Sequence, residues 1–404
     1  MWNKRGRHYN PAVDLSGLKF TSSSTYTILG EIGRGGMGIV FLAEKNSEGV
    51  ADLVALKTIR AKSADHEARL KAEANIATGL RHENIVKTYG LEAIPYSRLP
   101  SELLREFDSL SFENARRIRT ARAAPGGRIE DAGSPLRIAP AGEAEDKLFL
   151  MVMDYIEGTD LRTFQSEHLR RNLLLPSPLG AFVVSRIGRA LEYAHQTIVH
   201  RDISPENLLL NTQGVVKLSD FGVAVSENAG GITGKIAYLS PEQIAGLAVD
   251  ARTDLYSLGL VLYLLLTGVP LQKVPAKMAP ADRVDTVRRI LDRPFLPASR
   301  VRTDVPEALS DICMRLLERD RDKRFAGAGD AVRELEQRYL YAKGFGPTNN
   351  SLQAYLEIFD AHFKETTPEQ VRQLPFLQGQ LQRPIAASFY SREGKALLEE
   401  ALNR

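Results

Sequence analysis

The sequence predicts an α+β fold built in two parts, strands first and helices after, with a further helical segment at the end. Three observations carry this expectation. Short runs of strand-forming residues at Tyr26–Leu29, Ile39–Ala43 and Leu53–Lys57 lie close together near the start. Leu255–Leu266, broken only by Ser257 and Gly259, is too short for a membrane span and reads as a buried helix. Beyond Ser351, the residues Leu352, Tyr355, Leu356, Phe359 and Phe363 recur as one helical stripe. With 404 residues, 43% hydrophobic and 25% charged, the chain is long enough for a two-lobed domain and extra material.

Residues 1–25 are polar, basic and rich in Ser and Thr, and are expected to form a poorly ordered leader. The first two strands are joined by Gly30 to Gly38, where glycines at 33, 35 and 38 spell GxGxxG. A dinucleotide turn of that spelling leads from a strand into a helix, but strand-forming residues flank this one on both sides. Ser63 can cap a helix whose first turn carries Asp65 and Glu67, favourable at the positive end of its dipole, and which contains Glu73. Ile85–Ala93 and Leu148–Tyr155 are the fourth and fifth strands, separated by an insertion over about 94–147. Its first half, Ser101–Ala123, spaces Leu103, Leu104, Phe107, Leu110 and Phe112 as a helix would, then turns basic at Arg116, Arg117, Arg119 and Arg122; its second half is rich in Gly, Ala and Pro. The expected reading is a solvated loop, with partner docking the alternative.

The stretch His200–Asn207 reads HRDISPEN and precedes the apolar Leu208–Leu210. Moving a γ-phosphoryl group from ATP to a hydroxyl needs a carboxylate aimed at the attacking oxygen, a metal on the phosphates and a side chain to hold that metal. An HRD triplet by itself is a weak signal. Here Val215–Ser219 follows as a strand leading into Asp220-Phe221-Gly222, then come Ser240-Pro241-Glu242, an apolar helix begun by Asp254 and closed by Gly268 and Pro270, and Arg324. In that combination and order, over about Tyr26–Tyr341, the chain resembles the protein kinases, and in style the eukaryotic-like Ser/Thr kinases of bacteria.

The resemblance implies a bilobal kinase fold: a five-stranded N-lobe with one main helix over 26–153, a hinge and mostly helical C-lobe over 154–341, and a helical extension over 342–404. It implies ATP and Mg2+ as cofactors and proteins as substrates. Ile32, Gly33, Arg34, Gly35, Gly36, Met37, Gly38 and Val40 would cover the nucleotide, and Lys57 would hold its α and β phosphates while paired with Glu73. Ile32, Val40, Ala55 and Leu209 would sandwich adenine, Met153 would gate the back of the pocket, backbone groups of Asp154 and Ile156 would bond the base, and Asp160 would meet the ribose. Asp202 would be the catalytic base, Asn207 and Asp220 the magnesium ligands, and Glu242 with Arg324 a structural pair. Arg201 implies control by phosphorylation of the activation segment, with Thr233, then Ser226, as candidate sites.

Two positions depart from that pattern. Ser204 stands where such kinases carry a lysine that touches the γ-phosphate, and Lys235 stands after Gly234 where they carry a threonine. Lysine and hydroxyl have exchanged places, so Lys235 is expected to present its ammonium to the γ-phosphate, with Ser204 supplying the hydroxyl. The expected function is an autophosphorylating Ser/Thr protein kinase in signalling. A nucleotide-binding pseudokinase is the alternative, favoured by Ser204 and opposed by Lys57, Asp202, Asn207 and Asp220. A small-molecule kinase is opposed by the peptide-docking segment around Glu242. A net charge of +3 is too mild to argue for nucleic acid, the single Cys313 excludes an intramolecular disulfide framework, and Met1–Asn10 is followed by no apolar signal core. A cytoplasmic location follows as the expectation.

Overall fold

The computed structural model describes residues 15–35, 38–59, 63–106, 147–170, 173–221, 236–274, 278, 280–361 and 391–396. They divide into two units, one holding the described residues up to Thr78 together with Thr88–Tyr155, the other Gly79–Lys87 and everything from Ile156 onward.

The first unit is an antiparallel sheet, with strands β1 (Lys19–Thr21), β2 (Thr25–Gly35), β3 (Gly38–Ser47), β4 (Val50–Ile59), β5 (Thr88–Pro95) and β6 (Lys147–Asp154) in the order β1-β2-β3-β4-β6-β5. The five expected strands are present and a sixth, β1, is added at the edge. Its cause is apolar: Leu15 and Phe20, isolated in a polar stretch, bury themselves against Tyr26 and Ile28, so the expected disorder of the leader fails from residue 15 onward. Alternation along β3 turns Ile39, Phe41 and Ala43 inward. Gly38 has φ +144°, and a Cβ there would sit 2.0 Å from the Thr58 carbonyl oxygen, so the hairpin closes only on glycine. The single main helix, α1 (Ala64–Gly79), is capped as expected, with the His66 amide donating to Ser63 Oγ at 3.2 Å.

The insertion departs from expectation at its start. After β5 the chain forms a helix, α2 (101–106), and Leu99 and Leu103 join the core of the sheet with Leu104 packed against it. These residues are therefore not a solvated loop. Phe107, Leu110, Phe112 and the arginines from Arg116 lie outside the described residues.

The second unit is helical around a small sheet of β7 (Gly158–Asp160), β8 (Leu208–Asn211) and β9 (Val216–Leu218). Its helices are α3 (Leu161–Arg170), α4 (Ser177–Ala194), α5 (Pro241–Ile244), α6 (Ala251–Thr267), α7 (Pro280–Leu291), α8 (Ala298–Val301), α9 (Glu307–Leu316), α10 (Ala328–Leu335) and α11 (Asn349–Ala361). Almost every residue of α6 is buried. It starts earlier than expected, because Asp250 and not Asp254 is the N-cap, accepting from the Arg252 amide; Gly268 closes it in the left-handed region at φ 72°.

The stripe of Leu352, Tyr355, Leu356 and Phe359 forms the buried face of α11. His168 of α3 is stacked on Phe359 with ring centroids 4.2 Å apart, and its two nitrogens meet the Phe164 carbonyl (2.8 Å) and the Tyr355 hydroxyl (2.7 Å). Gly214, at φ +74°, lets the β8–β9 turn approach α11, since a Cβ would fall 2.0 Å from the Asn349 carbonyl oxygen. Further on, Ser391 Oγ caps a helical turn over 392–396 by accepting from the Gly394 amide, and the Ser391 amide donates to the Val301 carbonyl. Phe363, the Thr367–Gln370 capping box, Leu397, Ala401 and Leu402 lie outside the described residues. No described helix is long and apolar enough to cross a membrane.

Candidate active site

The loop from His200 to Asn207 joins α4 to β8, and its shape is set by a carboxylate inside α6. Asp254, fully buried, accepts from the His200 amide (2.8 Å), the Arg201 amide (2.7 Å) and His195 Nε2 (2.9 Å). On the other side of the loop, the Arg201 carbonyl accepts from Gln243 Nε2 at 2.9 Å. Between these anchors Arg201 is held at φ 64°, a left-handed conformation that costs a non-glycine residue about 1–3 kcal/mol. Hydrogen bonds to a charged group contribute about 1.5–3 kcal/mol each, enough to keep that strain in place.

Arg201 in turn aims Asp202. The Asp202 amide donates to His200 Nδ1 at 3.2 Å, so the His200 proton sits on Nε2, which donates to the Ser219 carbonyl at 2.9 Å. Asn207 Nδ2 donates to both the Asp202 carbonyl (2.7 Å) and the Asp202 carboxylate (2.9 Å), leaving its amide oxygen as the atom able to ligate a cation. The Ser219 amide donates to the Asn207 carbonyl at 2.9 Å, which brings Asp220 beside Asn207. Asp220 is itself left-handed at φ 66°, and Phe221 packs edge-on against His200 with centroids 4.6 Å apart. The structure thus brings together Asp202, Asn207 and Asp220. Ser204 is fully buried, and its hydroxyl has no hydrogen-bond partner among the described residues. A buried orphan hydroxyl costs about 1–3 kcal/mol, which marks this position as an exception to ordinary packing.

In the sheet unit, Lys57 on β4 and Glu73 on α1 are 6% and 8% exposed, burial that charged side chains tolerate only with charged or hydrogen-bonding company. Lys57 pairs in register with Val40 and Met151, and Ala55 with Met153. Ile32, Gly33, Arg34 and Gly35 lie on β2, which bulges between Glu31 and Gly33. Asp154 accepts from the Tyr89 hydroxyl at 2.7 Å. Gly36, Met37, Gly222, Ser226, Thr233 and Lys235 lie outside the described residues. In the other unit Leu209 pairs with Asp160 across β8 and β7. Asp160 carries a structural duty: its two carboxylate oxygens accept from the Thr163 amide and hydroxyl, both at 2.8 Å, capping α3.

Several positions escaped the sequence reading. Gln243 closes a capping box with Ser240 and then holds Arg201; the box was legible as Ser-Pro-Glu-Gln, the second duty was not. His195 had no signal at all. Glu242 and Arg324 behave as expected, forming a buried bidentate pair at 2.8 and 2.9 Å with Thr253 donating to the same carboxylate. Burial pushes the Glu242 carboxyl up, but the bonds from Arg324 and Thr253 outweigh it and leave the group below the ordinary range.

The family model described as the protein kinase domain matches residues 137–339. The chain belongs to the protein kinase family. Among its relatives, the probable serine/threonine-protein kinase PknB of Bifidobacterium longum is 31% identical over 311 residues, covering 74% of this chain and 37% of that protein. The serine/threonine-protein kinase PrkC of Bacillus subtilis is 30% identical over 328 residues, covering 78% of this chain and 41% of that protein. The chain therefore spans about two fifths of these kinases. In fold it is similar to the crystallised kinase domain of Mycobacterium tuberculosis PknI, at 22% identity and a TM-score of 0.54, covering 81% of this chain and 99% of the other.

Proposed function

We propose that this kinase transfers the γ-phosphoryl group of ATP to serine and threonine hydroxyls of proteins, its own included. The observation that supports this most is the loop in which Asp254 and Gln243 fix Arg201, and Asn207 fixes Asp202. A carboxylate so oriented can take the proton of an acceptor hydroxyl while the new P–O bond forms and the bond to the β–γ bridging oxygen breaks, releasing ADP.

The residues present fit magnesium. Among the described residues no cluster of three or more His, Cys, Asp or Glu could hold a metal by itself, and Mg2+ usually takes one or two carboxylates and completes its shell with phosphate and water. Asp220, with the amide oxygen of Asn207, would hold it. When bound, the ion would neutralise charge on the phosphates. Lys57 with Glu73 would orient the α and β phosphates, the glycines from Gly33 to Gly38 would let the backbone approach them, and Ile32, Val40, Ala55, Met153 and Leu209 would supply the adenine contacts. Backbone groups of Asp154 and Ile156 would bond the base. Asp160 would reach the ribose only while also capping α3.

Lys235 is proposed to supply the ammonium that Ser204 cannot, with the orphan hydroxyl of Ser204 serving where family members place a threonine. Arg201 Nε is buried without a hydrogen-bond partner among the described residues, which suits a donor awaiting a phosphate on the activation segment, with Thr233 the proposed site. The place of action is proposed to be the cytoplasm, and 94–147 to be a docking element for partners. The test is transfer of labelled γ-phosphate, with Mg2+, to the chain itself and to a generic basic protein, followed by phosphoamino-acid analysis. Phosphoserine and phosphothreonine are expected. Tight nucleotide binding without any transfer would show a regulatory nucleotide binder instead.

A further inference from the structure

The glycine turn of this kinase is tied to its insertion. Arg34 lies inside the GxGxxG stretch, where it pairs with Ile39 across the hairpin. Its guanidinium forms a two-bond fork with Glu31, Nε to Oε1 at 2.9 Å and Nη2 to Oε2 at 2.6 Å, and the same Nη2 donates to Glu106 at 2.9 Å. Glu31 is three positions away, but Glu106 is 72 positions on, at the end of the described part of α2. That helix is fixed from below: Leu103, 1% exposed, sits in the core with Tyr26, Ile28, Ile39 and Phe41. Glu106 is therefore delivered to Arg34 by a rigid element, at 5% exposure, where a carboxylate depends on a nearby cation. The pair of carboxylates raises the Arg34 pKa, Glu31 more than Glu106.

We infer that Glu106 and Arg34 are positioning residues for the phosphate-binding turn, and that the insertion sets nucleotide affinity through them. The physical reason is entropy. A turn of glycines is the most freely moving backbone a chain can have, and ordering it around phosphates weakens binding. Arg34, held from two directions, restricts the turn at Gly33 and Gly35 before the nucleotide arrives, so part of that ordering is already done. The inference rests on the glycine turn being the phosphate cradle.

The test measures the dissociation constant of Mg2+–ADP and the KM for ATP in the full chain and in Glu106→Gln, Arg34→Gln and the double variant. Glu106→Gln keeps shape and removes charge. It is expected to raise Kd and KM by roughly tenfold with kcat at saturating ATP within about twofold, as loss of preorganisation should. The double variant is expected to be no weaker than Arg34→Gln, because the two residues act as one contact. Amide hydrogen exchange over Gly33–Ile39 should speed up in each variant, which damage elsewhere would not produce. If Glu106→Gln fails to fold, Arg34→Gln is read by nucleotide Kd and by hydrogen exchange over Gly33–Ile39 alone, and both are expected to move as for Glu106→Gln. Wild-type Kd in a folded Glu106→Gln, or strictly additive effects, overturns the clamp alone. A wild-type chain that binds no nucleotide overturns the cradle reading, and the clamp with it.

Discussion

Asp254→Asn is the substitution whose consequences the geometry specifies most fully. The carboxylate accepts the His200 amide on one oxygen and the Arg201 amide on the other, with His195 sharing the first. An asparagine keeps one oxygen and turns an NH2 group toward the remaining N–H. One charge-assisted bond is lost, about 1.5–3 kcal/mol, and a buried amide is left unsatisfied, about 1–3 kcal/mol. The sum is a destabilisation of about 2.5–6 kcal/mol. The left-handed strain at Arg201 is then free to relax, and Asp202 shifts with it. A misplacement on the order of 1 Å at a reacting group costs about a hundredfold in rate, so kcat should fall by about that much or more. Nucleotide affinity should move by less than about threefold, since Asp254 touches none of the proposed nucleotide contacts. Urea unfolding, nucleotide titration and peptide phosphorylation measure the three quantities. A folded Asp254→Asn with kcat within a few-fold of wild type would refute the reasoning that this carboxylate holds the catalytic loop.

Lys235→Ala is expected to lower kcat by about a hundredfold or more with little change in nucleotide affinity, and Ser204→Lys with Lys235→Thr to restore it, because a cation on the transferring group is worth several kcal/mol of barrier; full activity in Lys235→Ala would end the exchange proposal. Asp220→Asn should abolish magnesium-dependent transfer, and a wild-type rate in that variant would remove Asp220 from the site. Acid stability should follow Glu242: its carboxyl is depressed in the fold, so its contribution is fully present above the unfolded value of about 4.3 and is lost as pH falls through the lower folded value. Glu242→Gln should lose stability at neutral pH and show a flatter acid limb in thermal melts; an unchanged acid limb would contradict the linkage.

The loop was legible because the chemistry expected of it is local: the proposed base, the proposed metal ligand and the strand after them lie within a few residues of one another, and Asn207 is bonded to Asp202 and, through its carbonyl, to the residue before Asp220. The helix caps at Ser63 and Gly268 were readable for the same reason. What stayed hidden depends on partners far along the chain. Leu15 and Phe20 look like stray apolar residues until Tyr26 and Ile28 provide a surface, and the stripe containing Leu103 carried no sign of which face it would meet. Arg34 and Glu106 are 72 positions apart and form no motif. Asp160 shows a different limit: one acidic residue before a helix suits both a ribose contact and an N-cap, and only its bonds to Thr163 reveal the cap. The helix containing Asp254 was expected by resemblance to anchor this loop; hidden were the bonds that do so, from the His200 and Arg201 amides to Asp254, three residues inside a helix that Asp250 caps.

The most direct test of the central claim is a single-turnover measurement of γ-phosphoryl transfer from Mg2+–ATP, comparing the wild-type chain with Asp202→Asn at matched nucleotide occupancy. Asparagine fits the same space and leaves the Asn207 and His200 contacts to the backbone of residue 202 in place, but cannot take the acceptor proton. Phosphoserine and phosphothreonine are expected from the wild type, and a loss of about 10³-fold or more in the variant with nucleotide binding intact. Equal transfer by both proteins, or none by a nucleotide-bound wild type, would contradict it.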